Sequence, residues 1–152
     1  MRRDGFVIGV LLVVLMSSGG CRRDETSTGA QAGGSQAPEI SSRGIGPVTK
    51  VELGPLDPTM AEKGRAIFEQ KCAACHHLDE RFVGPAIRGV TKRRTPEWIM
   101  NMILNPVEMT QKDPVAKELL ATHLTQMTFQ NVTEPEARAV LEYFRKIDQG
   151  AS

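Results

Sequence analysis

Cys72-Ala73-Ala74-Cys75-His76 sets two thiols three positions apart, with an imidazole directly after the second. This is the attachment pattern of a c-type haem: each thiol can add to one vinyl group of the porphyrin, and the adjacent His is then carried to the iron as its proximal ligand. Two other chemistries use a Cys-x-x-Cys pair. A closed zinc site needs a second pair of Cys or His at finger-like spacing, and Cys21, His77 and His123 do not supply one. A thioredoxin-like redox pair is expected beside a strand–helix–strand pattern, whereas the residues before Cys72 read as helix and no convincing strand follows.

The elements that must position this motif are helical. Thr59-x-x-Glu62 has the form of a capping box, and Met60, Gly64, Ile67, Phe68 and Cys72 follow helical spacing, so one helix leads straight into the first thiol. Gly64 costs that helix about 1 kcal/mol relative to Ala, a loss that close approach of another helix would explain. A loop is expected from His76 through Gly84-Pro85. Thr95-Pro96-Glu97 then reads as an N-cap, a first-turn Pro and an acidic first turn, with Trp98, Ile99, Met102 and Ile103 on one face and Pro106 as the stop. Asp113-Pro114 opens a further helix to His123 with Val115, Ala116, Leu119 and Leu120 as its stripe. After a loop from Thr125 to Val132, Thr133-x-x-Glu136 opens the last helix, whose buried face is predicted as Ala137, Val140, Leu141, Phe144 and Ile147. The reading is an all-α domain of about four helices with no internal repeat.

Composition supports a bound group. Aromatic content is only 5% of 152 residues, so side chains alone make a thin core and a porphyrin would supply apolar volume. With 19 basic and 18 acidic residues there is no single-sign field for nucleic acid or an anionic membrane surface. Near the N-terminus, Phe6 to Met16 is apolar but falls well short of the ~20 residues that span a bilayer, and reads as a signal-peptide core. Ser17-Ser18-Gly19-Gly20-Cys21 resembles a bacterial lipoprotein signal, in which Cys21 would receive lipid; Ser18 stands where that family usually has Leu, Val or Ile, and an ordinary secretory signal is the alternative. The expected organisation is signal peptide 1–20, lipidated N-terminus and flexible linker 21–56, haem domain 57–149 and tail 150–152, in a bacterial cell envelope, facing the periplasm and anchored by lipid if Cys21 is acylated.

From Met60 to Ile147 the ordered set of a Gly-x-x-x-Phe helix, Cys-x-x-Cys-His, Gly-Pro, a Met loop and an aromatic-bearing last helix resembles class I monohaem cytochrome c. The resemblance implies a cytochrome c fold with Gly64 and Phe68 crossing the last helix near Tyr143, one haem c held covalently through Cys72 and Cys75 with its iron on His76, and the Pro85 carbonyl orienting the His76 ring. It also implies a thioether as sixth ligand. Met127 lies 51 residues after His76 in the loop before the last helix, where the family places that Met, although Thr128 replaces the usual Pro. His123 and Met109 remain alternatives, while Met100 and Met102 read as helix packing. His77 reads as a solvated loop residue, Trp98 as core or an approach to the haem propionates, and Lys92-Arg93-Arg94 as a solvated run or a face for propionates or an acidic partner.

The function implied is electron transfer rather than catalysis, by a monomer with redox proteins as donor and acceptor, a membrane contact through the lipid anchor, no nucleic acid and no small-molecule substrate. The middle segment from Gly84 to Pro106 also resembles lipid-anchored cytochromes of nitrous oxide respiration, which suggests a membrane donor and a terminal reductase or oxidase as acceptor. A haem enzyme or gas sensor with a labile distal ligand, and a fixed subunit of a respiratory complex, are the other readings.

Overall fold

Prolines start nearly every helix among the described residues. The computed structural model describes residues 42–150, in which six helices and no strands occur: α1 (Pro58–Lys71), α2 (Val90–Arg93), α3 (Pro96–Leu104), α4 (Pro106–Lys112), α5 (Pro114–His123) and α6 (Glu134–Asp148). A first-turn Pro loses nothing by lacking an N–H that would be unpaired there anyway. Side-chain caps meet the orphan amides that remain: Thr95 accepts from the Trp98 amide, Asp113 from that of Ala116, and Thr133 with Glu136 forms the reciprocal box.

The expected box at Thr59 is displaced. Asp57 caps α1 by accepting from the Thr59 and Met60 amides, while Glu62 pairs with Arg65. The four expected helices are present as α1, α3, α5 and α6, and two short ones join them. One is the single turn α2. The other is α4, where Pro106 ends one helix and begins the next.

The crossing of α1 over α6 places the thiols. A Cβ on Gly64 would fall on the Ala139 carbonyl, so the helices meet backbone to backbone at that point. Beside it, the Phe68 ring packs 5.7 Å from both Tyr143 and Phe144. The predicted inner face of α6 is buried at Ala137, Val140, Leu141 and Phe144, with Ile147 half-buried. Glu142 is fully buried as well: its carboxylate accepts from the Asp57 amide (2.9 Å) and from the Arg138 (2.5 Å) and Arg145 (2.9 Å) guanidiniums.

Residues 42–56, expected within the flexible linker, instead form a strap across α3, α4 and α6. Its Val48 is buried in the core. Asn101 clamps the strap by donating to the Arg43 and Val48 carbonyls, each at 2.9 Å, and accepting from the Val48 amide at 3.0 Å. The Ile45 amide donates to the Met109 sulfur (2.9 Å), Val51 to Glu97 (2.8 Å), and Arg145 to the Gly54 carbonyl (2.9 Å). An irregular backbone can be buried only if such partners meet its polar groups. The expected signal peptide 1–20, Cys21, the remainder of the expected linker and tail residues 151–152 lie outside the described residues.

Candidate functional site

Between these helices opens a cavity of about 210 Å³ whose lining includes Cys72, Cys75, His76, Pro85, His123 and Met127. α1 ends at its C-cap Cys72, and the chain folds into a tight turn in which the Cys75 and His76 amides both donate to the Cys72 carbonyl at 3.0 Å. Both thiols are free. Burial pushes the Cys72 thiol up to about 11, so it is protonated at neutral pH.

His76 is oriented from one side and accommodated from another. Its Nδ1 lies 3.1 Å from the Pro85 carbonyl. A carbonyl only accepts, so Nδ1 carries the proton and Nε2 keeps a lone pair for a metal. Gly84 supplies the room, since a Cβ there would strike the imidazole, and its amide donates to the Cys75 carbonyl at 2.8 Å.

Met127 enters the same cavity from the loop between α5 and α6 and is half-buried. That loop turns through left-handed backbone at Leu124 (φ 55°) and Asn131 (φ 51°). Side-chain bonds hold it: Gln126 donates to the Met127 carbonyl (2.8 Å), and Thr110 on α4 donates to Gln126 (2.9 Å). His123 also lines the cavity, with a buried Nδ1 that has no protein partner, and desolvation lowers its proton affinity. Met109 is fully buried outside the cavity with its sulfur engaged by Ile45, and Met100 is core, whereas Met102 reaches the cavity wall. His77 does not line it; it stacks on Phe82 at 4.4 Å and meets Glu80 at 3.1 Å.

One end of the cavity is cationic. Arg93 and Arg94 both line it, and among the described residues neither is ion-paired with a carboxylate. Arg94 sits 5.3 Å over the Trp98 ring, and burial lowers its proton affinity. Trp98 is core, and its indole N–H donates to Asp113 at 3.1 Å, so that N–H faces a protein carboxylate rather than the cavity.

These residues fit a haem. Apolar walls suit a flat macrocycle, and two free thiols, an imidazole with Nε2 left over, a thioether and two guanidiniums without carboxylate partners line the same cavity, the donor set that thioether attachment, iron ligation and pairing with propionates call for. Pattern reading missed Gly84 as the cradle of the ring and Asp113 as the partner of Trp98. The signal for Gly84 was present as a Gly directly before the Pro whose carbonyl holds His76.

Residues 61–148 match the family model described as Cytochrome c. The chain is 34% identical over 62 residues to a cytochrome c-553-like protein of Synechocystis, covering 39% of this chain and 59% of that protein. It is 26% identical over 118 residues to cytochrome c2 of Rhodopseudomonas palustris, covering 61% of this chain and 84% of the relative. With cytochrome c-551 of Stutzerimonas stutzeri it shares 44% of 39 residues, 25% of this chain and 38% of that one. The match thus spans less than two thirds of the Synechocystis and Stutzerimonas proteins. Among solved structures, a cytochrome c from Rhodothermus marinus superposes with a TM-score of 0.68 at 49% identity, covering 69% of this chain and 91% of that one.

Proposed function

The chain belongs to the cytochrome c family, whose members hold haem c covalently, and we propose that it carries single electrons between redox proteins through one such haem. In this reading the Cys72 and Cys75 thiols would form the two thioethers, and His76 Nε2 and the Met127 sulfur would hold the iron. The bound haem supplies the redox chemistry, an iron that exchanges one electron. The chain does the rest. Pro85 fixes the imidazole tautomer, Gly84 keeps the ring upright, the apolar walls exclude water, and a thioether opposite a His raises the potential.

The single observation that carries the reading is the convergence of Cys72, Cys75, His76 and Met127 on one cavity, with Nδ1 of His76 already committed to Pro85. An electron donor in a bacterial membrane and a periplasmic or surface reductase or oxidase as acceptor, nitrous oxide reductase among them, complete the proposal, with Cys21 as lipid anchor.

The test uses the full chain made in a host that matures c-type cytochromes. Pigment should stay with the protein in acidified acetone, and the oxidised form should show the near-infrared iron–sulfur charge-transfer band. Met127→Ala should abolish that band while His123→Ala keeps it; the opposite pattern overturns the ligand assignment.

A second reading has one observation in its favour. The Gln126 and Gln130 side chains bond only within the Met127 loop, and its side-chain ties to the helices are two, from Thr110 to Gln126 and from Lys71 to the Asn131 carbonyl, which suits a distal ligand that can leave. Ready binding of carbon monoxide by the reduced protein would favour a sensor or enzyme over a carrier.

A further inference from the structure

Asp148 closes α6 with a buried carboxylate, and it spends both oxygens on α2. One accepts from the Gly89 amide (2.5 Å); the other accepts from the Thr91 amide (2.9 Å) and the Thr91 hydroxyl (2.6 Å). The helix it serves is a single turn, with Gly89 as its N-cap at φ 81° and no side-chain cap of its own. One turn pays nearly the full nucleation cost of a helix for few internal bonds, so its position must be set from outside. Arg93 and Arg94 follow at its end. The Arg93 guanidinium folds back to the Arg88 carbonyl (2.9 Å), Arg94 lies over Trp98, and both face the haem cavity without a carboxylate partner among the described residues.

We propose that Asp148 is a positioning residue for the cationic end of the haem cavity: by capping α2 from α6 it fixes where the Arg93 and Arg94 charges stand, and through them sets the reduction potential. The inference rests on the reading that the cavity holds haem c. Fixed positive charge in a poorly screened site favours the state with one more electron. When α2 loosens, the half-buried Arg94 guanidinium moves toward water and the exposed Arg93 loses its fixed place, so their influence on the haem falls and the midpoint potential drops with it.

The experiment is a double-mutant cycle on the haem-loaded full chain, read as midpoint potential with thermal stability alongside. Asp148→Ala is compared in the natural background and in Arg93→Gln/Arg94→Gln, so that the direct effect of removing the Asp148 charge cancels in the difference. Thr91→Val repeats the cycle with no change of charge and covers the case in which Asp148→Ala does not fold. In the natural background both substitutions should give a lower potential than they do, relative to their own parent, without the two arginines. Lost stability with no coupling to the arginines overturns the proposal and leaves Asp148 a structural cap. Absence of covalent haem from the unsubstituted protein is a different result, which overturns the reading of the cavity itself.

Discussion

The imidazole of His76 stands between a carbonyl that orients it and a glycine that makes room for it. Gly84→Ala should therefore act on the His76 ring rather than on the fold at large: a Cβ there meets the ring, and relieving the overlap pulls Nδ1 away from Pro85 at a cost of about 1–3 kcal/mol. The expected outcome is a reduced yield of haem-loaded protein with altered ligand-field bands, checked by absorption spectra at equal protein concentration. Glu142 lies away from the cavity and its effect is on stability. Burial would raise its carboxyl, but the Asp57 amide and the Arg138 and Arg145 guanidiniums hold it below the usual carboxylate range. A carboxylate depressed in the folded state stabilises above its unfolded value, and that contribution is lost as pH falls through the folded one. Glu142→Gln breaks a buried charge network and should cost about 3 kcal/mol at neutral pH. Denaturant titrations should find the gap between the two proteins closing below about pH 4, near the ordinary Glu value; a gap independent of pH would mean the charge is not what matters.

At the scale of elements, the strap 42–56 and the α1–α6 crossing do different work. The strap is held by side chains reaching it from far along the chain, with Asn101 making three of the bonds. Asn101→Ala leaves those backbone groups buried and unpaired, so it should cost about 2–3 kcal/mol. If the strap then detaches before the core unfolds, hydrogen exchange at Val48 and Val51 should quicken while that of α6 does not. The crossing has no such slack, because Gly64 meets the Ala139 backbone, and Gly64→Val should abolish folding where Asn101→Ala only weakens it. These two elements also mark what could be read in advance. The helices around the haem motif were legible because caps, prolines and period-3.6 stripes are local signals, and Gly64 declared a close approach by its own cost. The strap was not, since its order comes from Asn101, Met109 and Glu97, each more than forty residues away. Low periodicity in 42–56 reads the same whether the segment is loose or pinned. The site was legible for a similar reason: Cys72, Cys75 and His76 are adjacent in sequence and Met127 has a position relative to the last helix, while the Arg94–Trp98–Asp113 arrangement needs the fold to bring its members together.

Taken as a whole, the molecule borders its cavity with little charge away from the Arg93–Arg94 end. Net charge is +1, and from Leu119 to Thr133 there is no Lys, Arg, Asp or Glu. Next in sequence to the lining residues Val83, Thr125 and Thr128, Phe82 (54% exposed), Leu124 (84%) and Phe129 (47%) stand open to solvent on the two loops that follow His76 and carry Met127. The Arg81 guanidinium ties the loop after His76 to the last turn of α5 by donating to the Thr122 carbonyl at 3.1 Å. Nearby charges are largely matched: Lys71 pairs with Glu136 and Arg88 with Asp79. A carrier that docked by a ring of one sign would be steered, and its association rate would fall steeply with salt, by ten- to a thousand-fold in strongly steered pairs. If docking uses these exposed apolar side chains, the second-order rate of electron exchange with a redox partner should vary by no more than about threefold between low and physiological ionic strength. Replacing Leu124 and Phe129 by Ser should lower that rate at every salt concentration without moving the reduction potential, because neither side chain is needed to hold the haem. Stopped-flow mixing across a salt series separates the two cases. A steep salt slope would place docking on another face, with the Lys92-Arg93-Arg94 run the first to examine, since Lys92 and Arg93 are exposed and a cationic end of the cavity can serve an acidic partner as well as the haem carboxylates.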